Sequence, residues 1–67
     1  MKRGTVKEYD RIKGFGFITS DDGTDLFVHV SVLREHLKQT GLRIGQRVSF
    51  DVDFDVKGDR AVNVRSG

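Results

Sequence analysis

With 67 residues the chain has room for one domain. A domain this small buries only about 60% of the surface its unfolded chain exposes, so a shallow surface site is expected rather than a deep catalytic cleft. The absence of cysteine excludes disulfides, thiolate nucleophiles and cysteine-based zinc sites. The 12 basic and 10 acidic residues leave a net charge of +2, which an ordinary mixed surface explains as well as a polyanion partner does, so any basic signal must come from placement. The positive charges at Lys2 and Arg3 are followed by no apolar run, which predicts no signal peptide. No apolar stretch approaches the roughly 20 residues of a membrane-spanning helix. A soluble, cytoplasmic protein without membrane contact is the expectation.

In chain order, Gly4 to Asp10 reads as a first strand containing Val6. Lys13 to Thr19 and Asp25 to Val30 read as a second and third, and the Asp22-Gly23 pair between them predicts a type I′ hairpin turn, in which both central residues take positive φ. Val32 to Thr40 is the one helical segment, with Val32 or Leu33 and Leu37 at i, i+4 spacing, Ser31 as its expected cap and Gly41 as its end. Val48 to Phe54 alternates strictly, with Val48, Phe50, Val52 and Phe54 on one face and Ser49, Asp51 and Asp53 on the other. Lys57-Gly58-Asp59 is a turn signal, and Val62 and Val64 alternate with Ala61, Asn63 and Arg65 in a hairpin partner. Five short strands and one short helix between the third and fourth predict an all-β, closed or nearly closed small barrel.

The second and third strands carry the chemistry. Phe15 and Phe17 share one face, and Gly14, Gly16 and Ile18 the other; Phe27 and His29 share one face, and Leu26, Val28 and Val30 the other. Phenylalanine is ordinarily a core residue. Here the Leu26, Val28 and Val30 row already forms a complete apolar face, glycine suits the tightly curved inner wall, and His29 sits on the Phe27 side. The phenylalanines are therefore assigned to the outside. Ringed by Lys7, Arg11 and Lys13, such a patch suits nucleic-acid bases, which stack on the rings while cations reach the phosphates. No enzyme is indicated. His29 and His36 are not at metal-ligand spacing, no serine has a base and an orienter, and Gly-Phe-Gly lies within a strand rather than a phosphate loop. No metal or cofactor is expected.

Lys13-Gly14-Phe15-Gly16-Phe17-Ile18 and Leu26-Phe27-Val28-His29-Val30 resemble the two ribonucleoprotein motifs of bacterial cold-shock domains, and the likeness extends through Gly4-Thr5-Val6-Lys7, Gly45-Gln46-Arg47-Val48 and Ala61-Val62-Asn63-Val64. RNA-recognition motif domains carry a similar first motif but need two substantial helices, for which this chain has no room. The resemblance implies one cold-shock domain over residues 1–67, with a five-stranded antiparallel OB-fold barrel. It implies a monomer that binds single-stranded RNA or DNA and acts as an RNA chaperone or regulator of transcription or translation. By matching position, Phe15, Phe17, Phe27 and His29 would form the stacking platform. Lys7, Lys13 and Lys57 would meet phosphates or base edges, Asp25 a base edge, and Tyr9 would replace a phenylalanine. Arg60 is a further candidate, for which an ordinary surface charge is the favoured explanation. The chain departs from the family at Glu8 (usually tryptophan), Asp10 (usually asparagine) and Val30 (usually phenylalanine), and has no aromatic residue from Val32 to Arg43. These changes imply weaker or shorter-site binding, with the fold adapted to a protein partner as the alternative.

Overall fold

The computed structural model describes residues 2–67, with Glu35 by its backbone alone; Met1, the first residue of the expected domain, lies outside them. Five strands are present: β1 (Lys2–Asp10), β2 (Phe15–Ser20), β3 (Asp25–His29), β4 (Arg47–Asp55) and β5 (Gly58–Ser66). They pair in the order β1-β2-β3-β5-β4, and β4 returns to β1, closing the barrel as expected of an OB-type fold. One junction departs from the all-antiparallel expectation: β3 and β5 run parallel, paired at Phe27 and Arg60.

Inside the barrel lie Val6, Ile18, Leu26, Val28, Val48 and Phe50, each 2% exposed or less. The alternation that puts them there is interrupted twice. Val6 faces Ile18 while Glu8 faces Phe17, so Lys7 is an extra residue in β1. This bulge lets Val6 point inward and still leaves both Lys7 and Glu8 outside. In β5, Asn63 and Val64 stand against Phe50 alone, and Asn63 takes a φ of 53°. The expected pairing of Val62 with Val64 on one face is thereby broken; Ala61 and Val64 are buried instead, and Val62 is half-buried.

Phe54, expected on the buried face of β4, is 78% exposed. It keeps the side shared by Phe50 and Val52, but at its level, opposite Asp59, the barrel wall has ended and it lies at the rim near Asp22 and Thr24. The expected helix is also divided. Val30–Val32 forms a 3-10 turn, Leu33 is extended and bridges Val64, and α1 (Glu35–Thr40) follows, closed at Gly41 with φ 74°. Extending Leu33 lets it enter the core beside Leu37. Ser31 caps nothing in α1; Arg34 holds that position without a side-chain bond.

The β2–β3 hairpin forms, but not through a type I′ turn. Gly23 donates to Ser20 at 2.8 Å, Ser20 to Thr24 at 2.8 Å, and only Gly23 takes a positive φ. The Asp22 carboxylate accepts from the Thr24 N–H at 3.0 Å, an Asx-type bond compatible with a negative φ at Asp22. Among the described residues no helix is long and apolar enough to cross a membrane.

Gly16 marks the tightest contact of the wall. A Cβ there would overlap the Glu8 carbonyl oxygen and lie 2.6 Å from the Tyr9 Cα, both backbone atoms that cannot turn aside. Total stability for this length is about 3–10 kcal/mol. Gly16→Ala is expected to cost about 3 kcal/mol, the upper end for overpacking, and Phe50→Ala about 3–5 kcal/mol through the cavity it leaves. Urea unfolding of both variants measures this.

Candidate nucleic-acid interface

Pairing of β2 with β3 sets Phe17 opposite Phe27 and Phe15 opposite His29, and all four lie on the outer face. Phe15 and Phe17 are 37% and 38% exposed, while Phe27 sits half-buried between them. The Phe27 ring centroid is 5.8 Å from that of Phe15, tilted by 32°, and 5.9 Å from that of Phe17, edge-on at 77°. The three rings thus brace one another and still offer free faces, since a complete core lies beneath them.

His29 has a local task too. Its Nδ1 accepts from the Ser31 N–H at 3.1 Å and lies 2.9 Å from the Ser31 hydroxyl, capping the 3-10 turn. In the neutral ring this directs the proton to Nε2. Asp10 is likewise structural: its carboxylate accepts from the Ile12 and Lys13 N–H groups at 2.9 and 3.0 Å and orders the turn that carries Lys13. Those bonds, Lys13 first, hold its carboxyl below the ordinary range. Val30 packs half-buried against the core, and a Cβ on Gly14 would lie 3.2 Å from its Cγ1.

Tyr9 does not stand on the phenylalanine face. Its pairing partner is Gly16, and it packs half-buried on the core. Burial raises its hydroxyl pKa, partly offset by Arg11. It still joins the rings indirectly, as one wall of a shallow depression of about 340 Å³ lined also by Glu8, Asp10, Lys13, Phe15, Gly16, Phe17 and Ile44. Ile44, 74% exposed, is a further lining residue, outside the motifs of β2 and β3. Its signal is slight, one apolar residue between Arg43 and Gly45 in a segment without aromatics.

Two candidate cations are already engaged. The Lys7 ammonium lies 2.9 Å from Asp25, which also accepts from the Thr19 hydroxyl at 2.9 Å. The Arg60 guanidinium is 3.0 Å from Asp53 and 3.8 Å from Asp55. Lys13 and Lys57 are exposed on turns, Lys57 in the β4–β5 connection beyond Arg60. Glu8 faces Phe17 across the strand pair and brings its carboxylate to the edge of the rings.

Residues 2–66 match the family model described as the 'Cold-shock' DNA-binding domain. The chain belongs to the cold-shock domain family. It is similar to Cold shock protein 2 of Lactiplantibacillus plantarum, with 48% identity covering 97% of each chain. It is 44% identical to the Major cold shock protein of Streptococcus pyogenes over 96% of this chain and 94% of the relative. It is 45% identical to Cold shock protein CspC of Bacillus subtilis over 97% of each. Proteins of this family are non-enzymatic.

The Lys7–Asp25 pair has a pH signature. The Lys7 bond, then that of Thr19, holds the Asp25 carboxyl below its ordinary range, and Asp25 in turn raises Lys7. A depressed carboxylate stabilises the fold fully above its unfolded pKa of about 3.9 and loses that contribution as pH falls through the lower folded value. NMR titration of the side-chain carboxyl carbons is expected to place the Asp25 midpoint below that of an unfolded peptide, and Lys7→Met to return it most of the way.

Proposed function

We propose that the domain binds single-stranded RNA or DNA by stacking bases on Phe15, Phe17 and Phe27. His29 flanks the platform, and Lys13, Lys7, Lys57 and Arg60 meet phosphates or base edges. The observation that carries this reading is the contiguous trio of half-exposed rings over a core that is already complete. Rings with free faces over a full core are suited to ligand contact, and every base has a π-face to offer them. Asp25 and Tyr9 belong to the same reading, Asp25 through a base edge once Lys7 is drawn to a phosphate, Tyr9 as a wall of the adjoining depression. The cellular role we assign is that of an RNA chaperone or regulator of transcription or translation, exercised by a cytoplasmic monomer.

Binding should be weaker than the family norm. Glu8 sits where a further stacking ring would be expected, and Lys7 and Arg60 must leave carboxylates before they reach phosphates. With two to four phosphate contacts, the slope of log K against log salt should be about −1.4 to −2.8. Phe15→Ala and Phe27→Ala are each expected to lower affinity for oligo-dT and oligo-U by about 1–3 kcal/mol and to leave the unfolding midpoint close to that of the parent. Fluorescence titration and thermal melting measure the two quantities. A collapse of stability without a specific binding defect would move these rings into the core, and nanomolar binding of a heptanucleotide at physiological salt would refute the weakening by Glu8.

A further inference from the structure

A second group of cations lies away from the rings, where α1 meets the end of β5. A surface depression there is lined by Leu33, Arg34, His36, Lys38 and Arg65, and no acidic side chain is among the lining residues described. Two cations of the ring face, Lys7 and Arg60, differ from this group in pairing, whereas Lys13 and Lys57 share its lack of a described ion pair. Lys7 and Arg60 are held by aspartates, whereas among the described residues none of Arg34, Lys38 and Arg65 makes an ion pair.

The depression is ordered from two sides. The Arg34 guanidinium donates to the Asn63 side-chain oxygen at 3.0 Å, and Asn63 donates to Asp51 at 3.2 Å. Asn63 is the residue whose φ of 53° forms the β5 bulge, so the fold itself sets where Arg34 is anchored. The Arg34 backbone N–H bonds the Val64 carbonyl at 3.0 Å, and His36 Nε2 lies 3.4 Å from the Ser66 hydroxyl, tying the start of α1 to β5. Arg65 carries the second, independent observation. Its Nε is buried and has no hydrogen-bond partner. Buried donors in native proteins are nearly always paired; this one is closed to solvent and leaves the Arg65 guanidinium short of an acceptor, so an anion in the depression would meet that guanidinium through its other N–H groups. The planar fork of arginine matches a phosphate in particular.

We propose that Arg34, Lys38 and Arg65 form a second phosphate site, with His36 at its border, which takes a phosphodiester of nucleic acid independently of the aromatic platform. The site makes the domain bivalent for polyanions: bases are held on one wall of the barrel and backbone on another. Its nucleic-acid identity rests on the function proposed above, but the anion chemistry does not, so the two are tested apart. The phosphodiester comes either from the continuation of the stacked strand or from a second molecule.

The test follows the Arg65 Nε–H resonance of the unaltered protein by NMR during titration with four probes. These are inorganic phosphate, trithymidylate, an oligo-dT longer than the roughly 4–16 nucleotides an OB fold covers, and a blunt duplex. The expected result is a shift with phosphate and with the long strand, and little change with trithymidylate, which covers only the rings. A shift with the duplex as well assigns the phosphodiester to a second molecule; its absence assigns it to the same strand. In parallel, Lys38→Gln with Arg65→Gln is expected to leave trithymidylate affinity unchanged. On the long strand it should reduce the salt slope by about 1.4, which shrinks the affinity lost between 50 and 200 mM salt about sevenfold. Lysine at position 65 in place of glutamine restores most of the slope. An Arg65 resonance that is silent to phosphate and long strand alike overturns the site, whether or not the variants fold. An equal loss on both strand lengths overturns its independence from the platform. If the rings fail to bind but phosphate still moves Arg65, the platform reading falls and the anion site stands.

Discussion

The barrel depends on the backbone contact at Gly16, where β1 and β2 approach so closely that the Glu8 carbonyl and the Tyr9 Cα occupy the space of a side chain. On the inner side that approach draws the wall tight enough for Ile18, Val28 and Phe50 to fill the interior. On the outer side, strand alternation sets Phe15 and Phe17 on either side of Gly16, and their rings lean on Phe27. The glycine between the two exposed phenylalanines is thus required by the close approach of β1 on the inner side.

Electrostatics divides the surface in a different way from hydrophobicity. The ring face carries cations, but those of Lys7 and Arg60 are held by carboxylates in the free protein. These pairs are solvent-exposed and contribute little to stability, typically 0–1 kcal/mol as a rough range. Their effect is on the ligand: a phosphate must displace an aspartate, while a base needs to displace only water. On the proposed function, stacking would dominate where Lys7 and Arg60 are held, and the cations without a described carboxylate partner, Lys13 and Lys57 beside the rings and those near α1, would be the more open to backbone phosphates. The net charge of +2 conceals this arrangement, because the sum is blind to which charges touch.

Much of the architecture was legible in the sequence. Alternation around Phe15, Phe17 and Phe27 assigned the faces of β2 and β3 correctly, because those strands are regular and their period is undisturbed. Where the reading failed, the period had been broken by a bulge or the wall had come to an end. Asn63 adopts a positive φ that no neighbour in the sequence announces, and Val62 loses its place in the interior as a result. Phe54 obeys its alternation and is exposed all the same, because no strand remains to cover it at that height. The helix was expected as one piece from the spacing of Leu33 and Leu37; both leucines are buried as that spacing requires, yet Leu33 arrives as an extended residue bridged to Val64.

By itself, then, the sequence determined the number and order of the strands, the inward row of Leu26 and Val28, and the outward trio of rings. These follow from local periodicity, which needs no knowledge of distant partners. The tertiary structure alone decided that Lys7 is a bulge, that Tyr9 turns to the core side, that Lys7 meets Asp25 and Arg60 meets Asp53, and that Arg65 stands beside Arg34 and Lys38. Apart from the Arg60–Asp53 pair, which spans one hairpin, each of these joins residues far apart in the chain or turns on a one-residue shift of register. A shift of one residue sends every following side chain to the other face of a strand. Closure of the barrel sets that register, because β4 must meet both β1 and β5 at once.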